Sequence, residues 1–318
     1  MDTAHTPAIT PRDIKILQLV YAYDTCSAEH LCARFFGSSP TPGKYGPQVT
    51  CYRRIAKLRQ AGYLSGYRLP SLSGMGSGKL LLGLGPKGRK LLAEHLGLSR
   101  SELKQLKQVV TPVLGAHHLA VCDVRLALEL ACEDRPGVSL EWVSERELRN
   151  QPTTRVKDPR SQPEGVGAPE IPLIPDGQFS ITLPHGAEQT FQLEVDLGTI
   201  PSKRMLTKLA GYLALAKDSP ILWVVPDQRR LEAIANWALK LSEGLETDPS
   251  IFWITTKAQI TPQAVLGPIW RVAGGPEAHA LIPGGQEITD GLLSTFEVGQ
   301  ARVSESELPL AEGSGWRF

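Results

Sequence analysis

The 318-residue sequence predicts a chain of the α+β / α/β class in two unequal parts: a basic module of three helices and a strand hairpin, then a larger α/β domain with a sheet of mixed direction. Three observations predict it. Helical periods followed by two short strand runs fill the stretch up to Leu84, and strand and helix signals alternate from His117 to Thr255. Charge divides in the same place, with 13 Lys and Arg against 5 Asp and Glu in Met1 to Leu98, a balance of +8, whereas the remainder carries −7.

In chain order, Thr10-Pro11-Arg12-Asp13 has the form of a helix N-cap with proline at the first helical position. Ile14, Leu17, Leu19 and Val20 supply the apolar face of the first helix, which ends near Tyr23. Ser27 caps a second helix through Phe36, with Leu31, Phe35 and Phe36 apolar. The Gly- and Pro-rich turn from Gly37 to Pro47 leads to a third helix, Val49 to Ala61. There Val49, Tyr52, Ile55, Ala56 and Leu58 or Arg59 trace the inward side, and Arg53, Arg54, Lys57 and Gln60 point outward. Strand-like runs Tyr63 to Leu69 and Lys79 to Leu84 flank the loop SLSGMGSG. Three helices and a hairpin of this order form the winged helix-turn-helix pattern. Its third helix fits the major groove of double-stranded DNA, and its hairpin lies along the adjacent backbone. Arg53, Arg54, Lys57, Gln60 and Lys79 are the candidate DNA contacts.

Gly85-Pro86 opens a fourth helix, and Leu98 to Val110 a charged fifth, which links the parts or pairs between subunits. The expected organisation is residues 1–98 winged helix, 99–115 helical linker, 116–273 α/β domain and 274–318 poorly structured tail, extended or disordered from Gly299 onward.

The α/β part begins with a helix from His117 to Leu130 that packs on a sheet. Adjacent His117 and His118 point in different directions on it, so they are no i, i+4 zinc pair. A strand from Val138 to Val143 contains Trp142, Ser144 caps a short helix, and Asn150 to Glu170 lacks apolar period and predicts a mobile loop. Pro220 to Pro226 is a buried strand, Gln228 to Glu243 a helix stopped by Gly244, and Ser250 to Thr255 another strand.

Chemistry concentrates between Pro172 and Tyr212. Asp176 opens a strand from Gln178 to Leu183, and Glu194 and Asp196, two apart on the strand begun at Thr190, fall on one face. Three carboxylates at strand ends are a set that can hold Mg2+ through oxygen ligands and water. Arg204, Lys208 and Tyr212 follow at i, i+4 and i+8, so a cation and a phenol share the helix face that looks back at them.

The order of helix, strand, Pro175-Asp176-Gly177, hairpin, Glu194-x-Asp196 and basic helix resembles the PD-(D/E)xK nuclease-like core, a restriction-endonuclease-like sheet. With the wing followed by LGLGPKGRKLL, the helix from His117 to Val124, and Lys208-Leu209-Ala210-Gly211-Tyr212, the chain resembles the bacterial plasmid replication-relaxation family over residues 11 to about 255. That resemblance implies a role in plasmid or mobile-element DNA maintenance, through replication, relaxation or transcriptional control. Asp176, Glu194 and Asp196 are then the candidate metal ligands and Lys208 the catalytic cation, with Mg2+ the implied cofactor. Asp196 occupies the position where the active pattern has lysine. Two readings follow: a DNA-binding protein whose nuclease-like domain is non-catalytic, with Asp196 and Lys208 as a bracing salt bridge, or a Mg2+-dependent nicking or cleaving endonuclease.

Partners expected besides DNA are a second copy, forming a homodimer, and a replication or mobilisation protein. No 18-residue apolar run or signal-peptide pattern is present, which predicts a cytoplasmic protein without membrane contact. The five cysteines form no C-x-x-C pair, so neither a disulfide framework nor a zinc ribbon is expected, and no phosphate loop or nucleophile elbow points to ATP or acyl chemistry.

Overall fold

The first helix, α1 (Pro11–Ala22), starts where its sequence signals place it. Thr10 and Asp13 form a reciprocal capping box, and Pro11 sits at the first turn. This computed structural model describes residues 7–37, 46–69, 78–99, 112–152, 155–157, 170–215, 219–275 and 277–282. The fifth helix expected from Leu98 falls outside them beyond Ser99, as do the wing loop from residue 70 to 77 and the tail after residue 282.

After α1 come a two-residue strand β1 (Cys26–Ser27) and α2 (Ala28–Phe35), where Ser27 and His30 form a second capping box. Helix α3 (Pro47–Gln60) leads into β2 (Leu64–Arg68) and β3 (Leu80–Leu84), which pair antiparallel, and β1 joins the far edge of β3. Helix α4 (Pro86–Leu96) closes this part and ends on Gly97 in the left-handed conformation.

Helix α3 is rotated from the expected phase. Cys51, Ile55 and Leu58, spaced i, i+4 and i+7, are its buried residues, whereas Val49, Tyr52 and Ala56 are exposed. The cause is Arg54, which turns inward to meet the fully buried Asp13 of α1. A buried carboxylate needs a partnered cation, and this need outweighs the burial of one valine and one tyrosine edge.

The long helix α5 (Pro112–Glu133) serves two cores. Cys122 and Leu126 pack among Ile16, Leu17 and Leu31 of the first part, while Ala120, Val124 and Leu128 pack on the sheet. Polar contacts tie the same seam. Tyr23 Oη donates to Glu129 at 2.8 Å, Arg125 donates to the Ala22 carbonyl at 2.8 Å, and His118 Nε2 lies 2.8 Å from the Tyr23 carbonyl. All described residues fall within one unit of contacts.

The remaining elements are β4 (Ser139–Ser144), α6 (Glu145–Arg149), β5 (Arg155–Lys157), β6 (Glu170–Pro172), β7 (Gly177–Thr182), β8 (Glu188–Val195), α7 (Ser202–Leu215), β9 (Ile221–Val225), α8 (Gln228–Leu245), β10 (Phe252–Thr256), β11 (Trp270–Val272) and β12 (Ala278–His279). Seven strands form one mixed sheet in the order β12-β11-β10-β9-β8-β7-β4. Strands β4, β7 and β8 run as an antiparallel meander, β8, β9 and β10 are parallel, and β11 and β12 return antiparallel. Parallel neighbours need crossovers, which α7 and α8 provide.

Three expectations change. The segment from Asn150 to Glu170 carries the short strand β5 paired with β6 rather than loop alone. Helix α8 runs through Gly244 and ends at Leu245, with Glu246 in the left-handed region at φ 52°. The sheet also extends past Gly274, because β12 pairs with β11 and Leu281 is buried in the core.

Candidate functional site

Strand β8 places its side chains alternately on two layers. Phe191, Leu193 and Val195 face the core that includes α5, and Glu194 faces α7, whose Met205, Leu209 and Tyr212 are buried against this side. Asp176 stands at the turn before β7, where its backbone N–H donates to the Leu193 carbonyl at 2.9 Å. The glycine after it is required by packing, since a Cβ on Gly177 would come within 2.5 Å of the Trp142 ring. The Pro-Asp-Gly turn therefore holds Asp176 beside the end of β8.

Lys208 of α7 reaches Glu194 Oε2, and the Tyr212 hydroxyl donates to Oε1 of the same carboxylate. Glu194 is 1% exposed. Asp176 Oδ2 accepts from the Val195 N–H at 2.7 Å and lies 3.2 Å from His117 Nε2 on α5. His117 Nε2 is also 2.9 Å from the Val195 carbonyl. The structure thus brings Asp176, Glu194 and Lys208 into one cluster and adds His117 and Tyr212 to it, with Glu194 and Tyr212 buried and the other three half-buried.

Asp196 goes elsewhere. Its Oδ2 accepts from Arg230 Nε of α8 at 2.6 Å, and its Oδ1 from the Gly198 N–H at 3.0 Å. Arg230 also donates to the Ile200 carbonyl at 3.1 Å, and its guanidinium lies over the Trp237 ring. The expected brace between Asp196 and Lys208 is absent among the described residues; each acid takes a different cation. Arg204, one turn before Lys208 on α7, is exposed.

Electrostatics follow from burial. Burial pushes the Glu194 carboxyl up to about 7, against the opposing pull of Lys208. Burial disfavours the Lys208 ammonium, but Glu194 and Asp176 outweigh it and hold that ammonium charged above its ordinary range. Burial would also raise Asp176, yet the His117 hydrogen bond and the Lys208 charge bring it below the usual carboxylate value. The hydrogen bond to Asp176 lifts His117 to about 9, so its imidazolium persists at neutral pH.

The donor set does not fit a Mg2+ ion as it stands. Both oxygens of Glu194 and of Asp196 accept from protein donors, and Asp176 Oδ2 is taken by Val195 and His117. A hard divalent ion needs several converging oxygens with lone pairs turned toward it. Among the described residues no group of three or more His, Cys, Asp or Glu side chains is arranged to hold a metal ion.

On the first part, Arg53, Lys57 and Gln60 are exposed along α3, and Lys79 is exposed just before β3. Arg54 is the exception, engaged with Asp13 and with the Ala8 carbonyl at 2.8 Å. Tyr52 and Tyr67 add exposed rings on α3 and β2, with Tyr52 Oη donating to Glu29 at 2.9 Å. Arg68 of β2 donates to the Gly78 carbonyl at 3.2 Å across the hairpin.

Sequence reasoning missed His117, Arg230 and Asp13 as partners. Each lies between 34 and 59 residues from the group it pairs with, too far apart for any local period to show. A shared helix face did flag Tyr212.

Compared with known proteins, residues 17–223 match the family described as replication-relaxation. The matched span contains α3, Asp176, Glu194, Asp196 and Lys208, and it ends within β9. No curated protein and no solved structure matches the chain. All five cysteines are free thiols, and among the described residues no helix is long and apolar enough to cross a membrane.

Proposed function

The chain belongs to the replication-relaxation family, and from that premise we propose that it is a DNA-binding protein of plasmid or mobile-element maintenance whose α/β domain is a non-catalytic, nuclease-like body. DNA binding falls to α3 and the β2–β3 hairpin. The observation that carries this half is the row of exposed polar groups on α3, Arg53, Lys57 and Gln60, standing opposite the buried Cys51, Ile55 and Leu58. Cations on one face of an exposed helix suit phosphate contact, and the helix fits a major groove. Lys79 extends this positive face to the hairpin.

The nuclease-like reading of the body rests on element order: helix α5, the meander β4-β7-β8, helix α7 and the parallel strand β9. The non-catalytic reading rests on occupancy. Lys208 and Tyr212 satisfy Glu194, and Arg230 satisfies Asp196, so these carboxylates act as buried anchors for α7 and α8. Anchored helices keep the sheet rigid behind α5, which in turn holds the DNA-binding part.

Fluorescence anisotropy of a labelled duplex over a range of salt concentrations tests the DNA half. Replacing Arg53 and Lys57 by alanine is expected to weaken binding and to reduce the log–log salt slope by about 2, roughly one for each phosphate no longer neutralised. Equal affinity of both proteins at every salt concentration would remove α3 as the DNA-reading helix.

A further inference from the structure

A cavity of about 330 Å³ opens where the parallel strands β8, β9 and β10 end. Its floor is formed at Val195 and Val225, the last residues of β8 and β9, and Lys257 follows directly after β10. Helix α5 makes one wall, and α2 covers it with Glu29, His30 and Ala33. Open α/β sheets receive ligands outside the carboxyl ends of their strands; here α7 and α8 both cross on one face of the sheet, and the cavity lies on the side of α5 and α2. The volume lies in the range of small-molecule sites.

The lining is mostly apolar. Asp123 on α5 is shared between His30 Nε2 at 2.8 Å and Lys257 Nζ at 3.0 Å. His30 Nδ1 accepts from the Ser27 N–H at 3.1 Å, which leaves Nε2 to donate to Asp123. Lys257 is the lysine paired with Asp123. Glu29 at the rim accepts from the Tyr52 hydroxyl and feels the Lys79 charge, and Asp196 at the floor is matched by Arg230. Within the lining the carboxylates of Glu29, Asp123 and Asp196 stand against one lysine, Lys257, whose side chain is 48% exposed and able to swing away.

We propose that this cavity is a binding site for a small amphipathic cation, an apolar body of about a dozen heavy atoms carrying one amine or amidine group. The body fills the space against α5 and the strand ends, and the cationic head takes the place of Lys257 on Asp123 toward Glu29. The site does not depend on the DNA-binding reading. Because α2 forms its cover and packs against α3, an occupant touches both parts of the protein.

Isothermal titration of the full chain with benzamidine tests the site, with benzoate as a probe of the same shape and opposite charge. Benzamidine is expected to bind saturably, and benzoate at least about tenfold more weakly. Lys257→Met is expected to tighten benzamidine binding several-fold, since the competing ammonium is gone from Asp123, and Asp123→Asn to weaken it by at least about tenfold. Thermal melts establish that each variant is folded, and Lys257→Met, on the surface, remains informative if Asp123→Asn is not. The proposal is overturned by no saturable benzamidine binding, by benzoate binding as tightly, or by a Lys257→Met affinity that is unchanged or weaker.

Discussion

Lys208 and Glu194 form an ion pair between α7 and the centre of the sheet, with the glutamate 1% exposed. The Lys208 ammonium lies over the Trp223 ring, 5.7 Å from its centroid, and Tyr212 closes the second carboxylate oxygen. Such a pair holds α7 in one position, because either charge alone in this layer is costly.

Lys208→Met is accordingly expected to lower stability by about 3–5 kcal/mol, the cost of leaving a buried acid without its cation. Glu194→Gln placed on top should recover part of that loss, giving a coupling of about 1 kcal/mol or more in a double-mutant cycle. Urea denaturation of the four proteins measures it. Strictly additive losses would show that the two groups do not act as a pair.

His117 predicts a pH dependence of stability with a definite sign. Its folded pKa, about 9, lies above its ordinary value of 6.5. Its contribution is therefore complete below pH 6.5 and is lost as pH rises through 9. Glu194 acts in a lower window: its folded value of about 7 exceeds the ordinary 4.5, so stability also falls from pH 4.5 to 7 on its account. Between pH 7 and 9 the slope belongs chiefly to His117. Thermal melts should show wild-type stability falling across that interval and His117→Gln nearly flat, the two converging above pH 9. Parallel curves from pH 7 to 10 would contradict the His117–Asp176 assignment.

Arg54 and Lys57 separate stability from binding on one helix. Arg54→Ala removes the partner of the fully buried Asp13 and is expected to cost about 3 kcal/mol of stability. Lys57→Ala should leave the melting temperature within the range of ordinary surface changes while lowering DNA affinity and its salt slope. A variant pairing Arg53 with Arg54 would mix the two effects. Loss of stability in Lys57→Ala, or none in Arg54→Ala, would reverse these roles.

Most of the fold is legible in the sequence because its signals are local. The Thr10 and Ser144 caps, the hairpin of β2 and β3, and the alternation of β7 and β8 all act within a few residues. Strands β1 and β12, two residues each, are too short to show a period, and they exist only because β3 and β11 offer edges to pair with. The same limit shapes the candidate site. Glu194, Lys208 and Tyr212 can be placed facing one another from strand and helix spacing. Asp196 takes Arg230 instead of Lys208 because α8 begins beside the end of β8, a fact of topology that no local spacing contains. The phase of α3 escapes the periodicity for a related reason, since Asp13 attracts Arg54 from 41 residues away.

Supercoiled plasmid incubated with the protein in Mg2+ or Mn2+, with retention and nicking recorded in the same samples for wild type and Glu194→Gln, tests the central claim most directly. The account predicts retention by both proteins and no nicking in either metal. Metal-dependent nicking by wild type that is lost in Glu194→Gln would contradict it, and would place catalysis at the cluster assigned as an anchor.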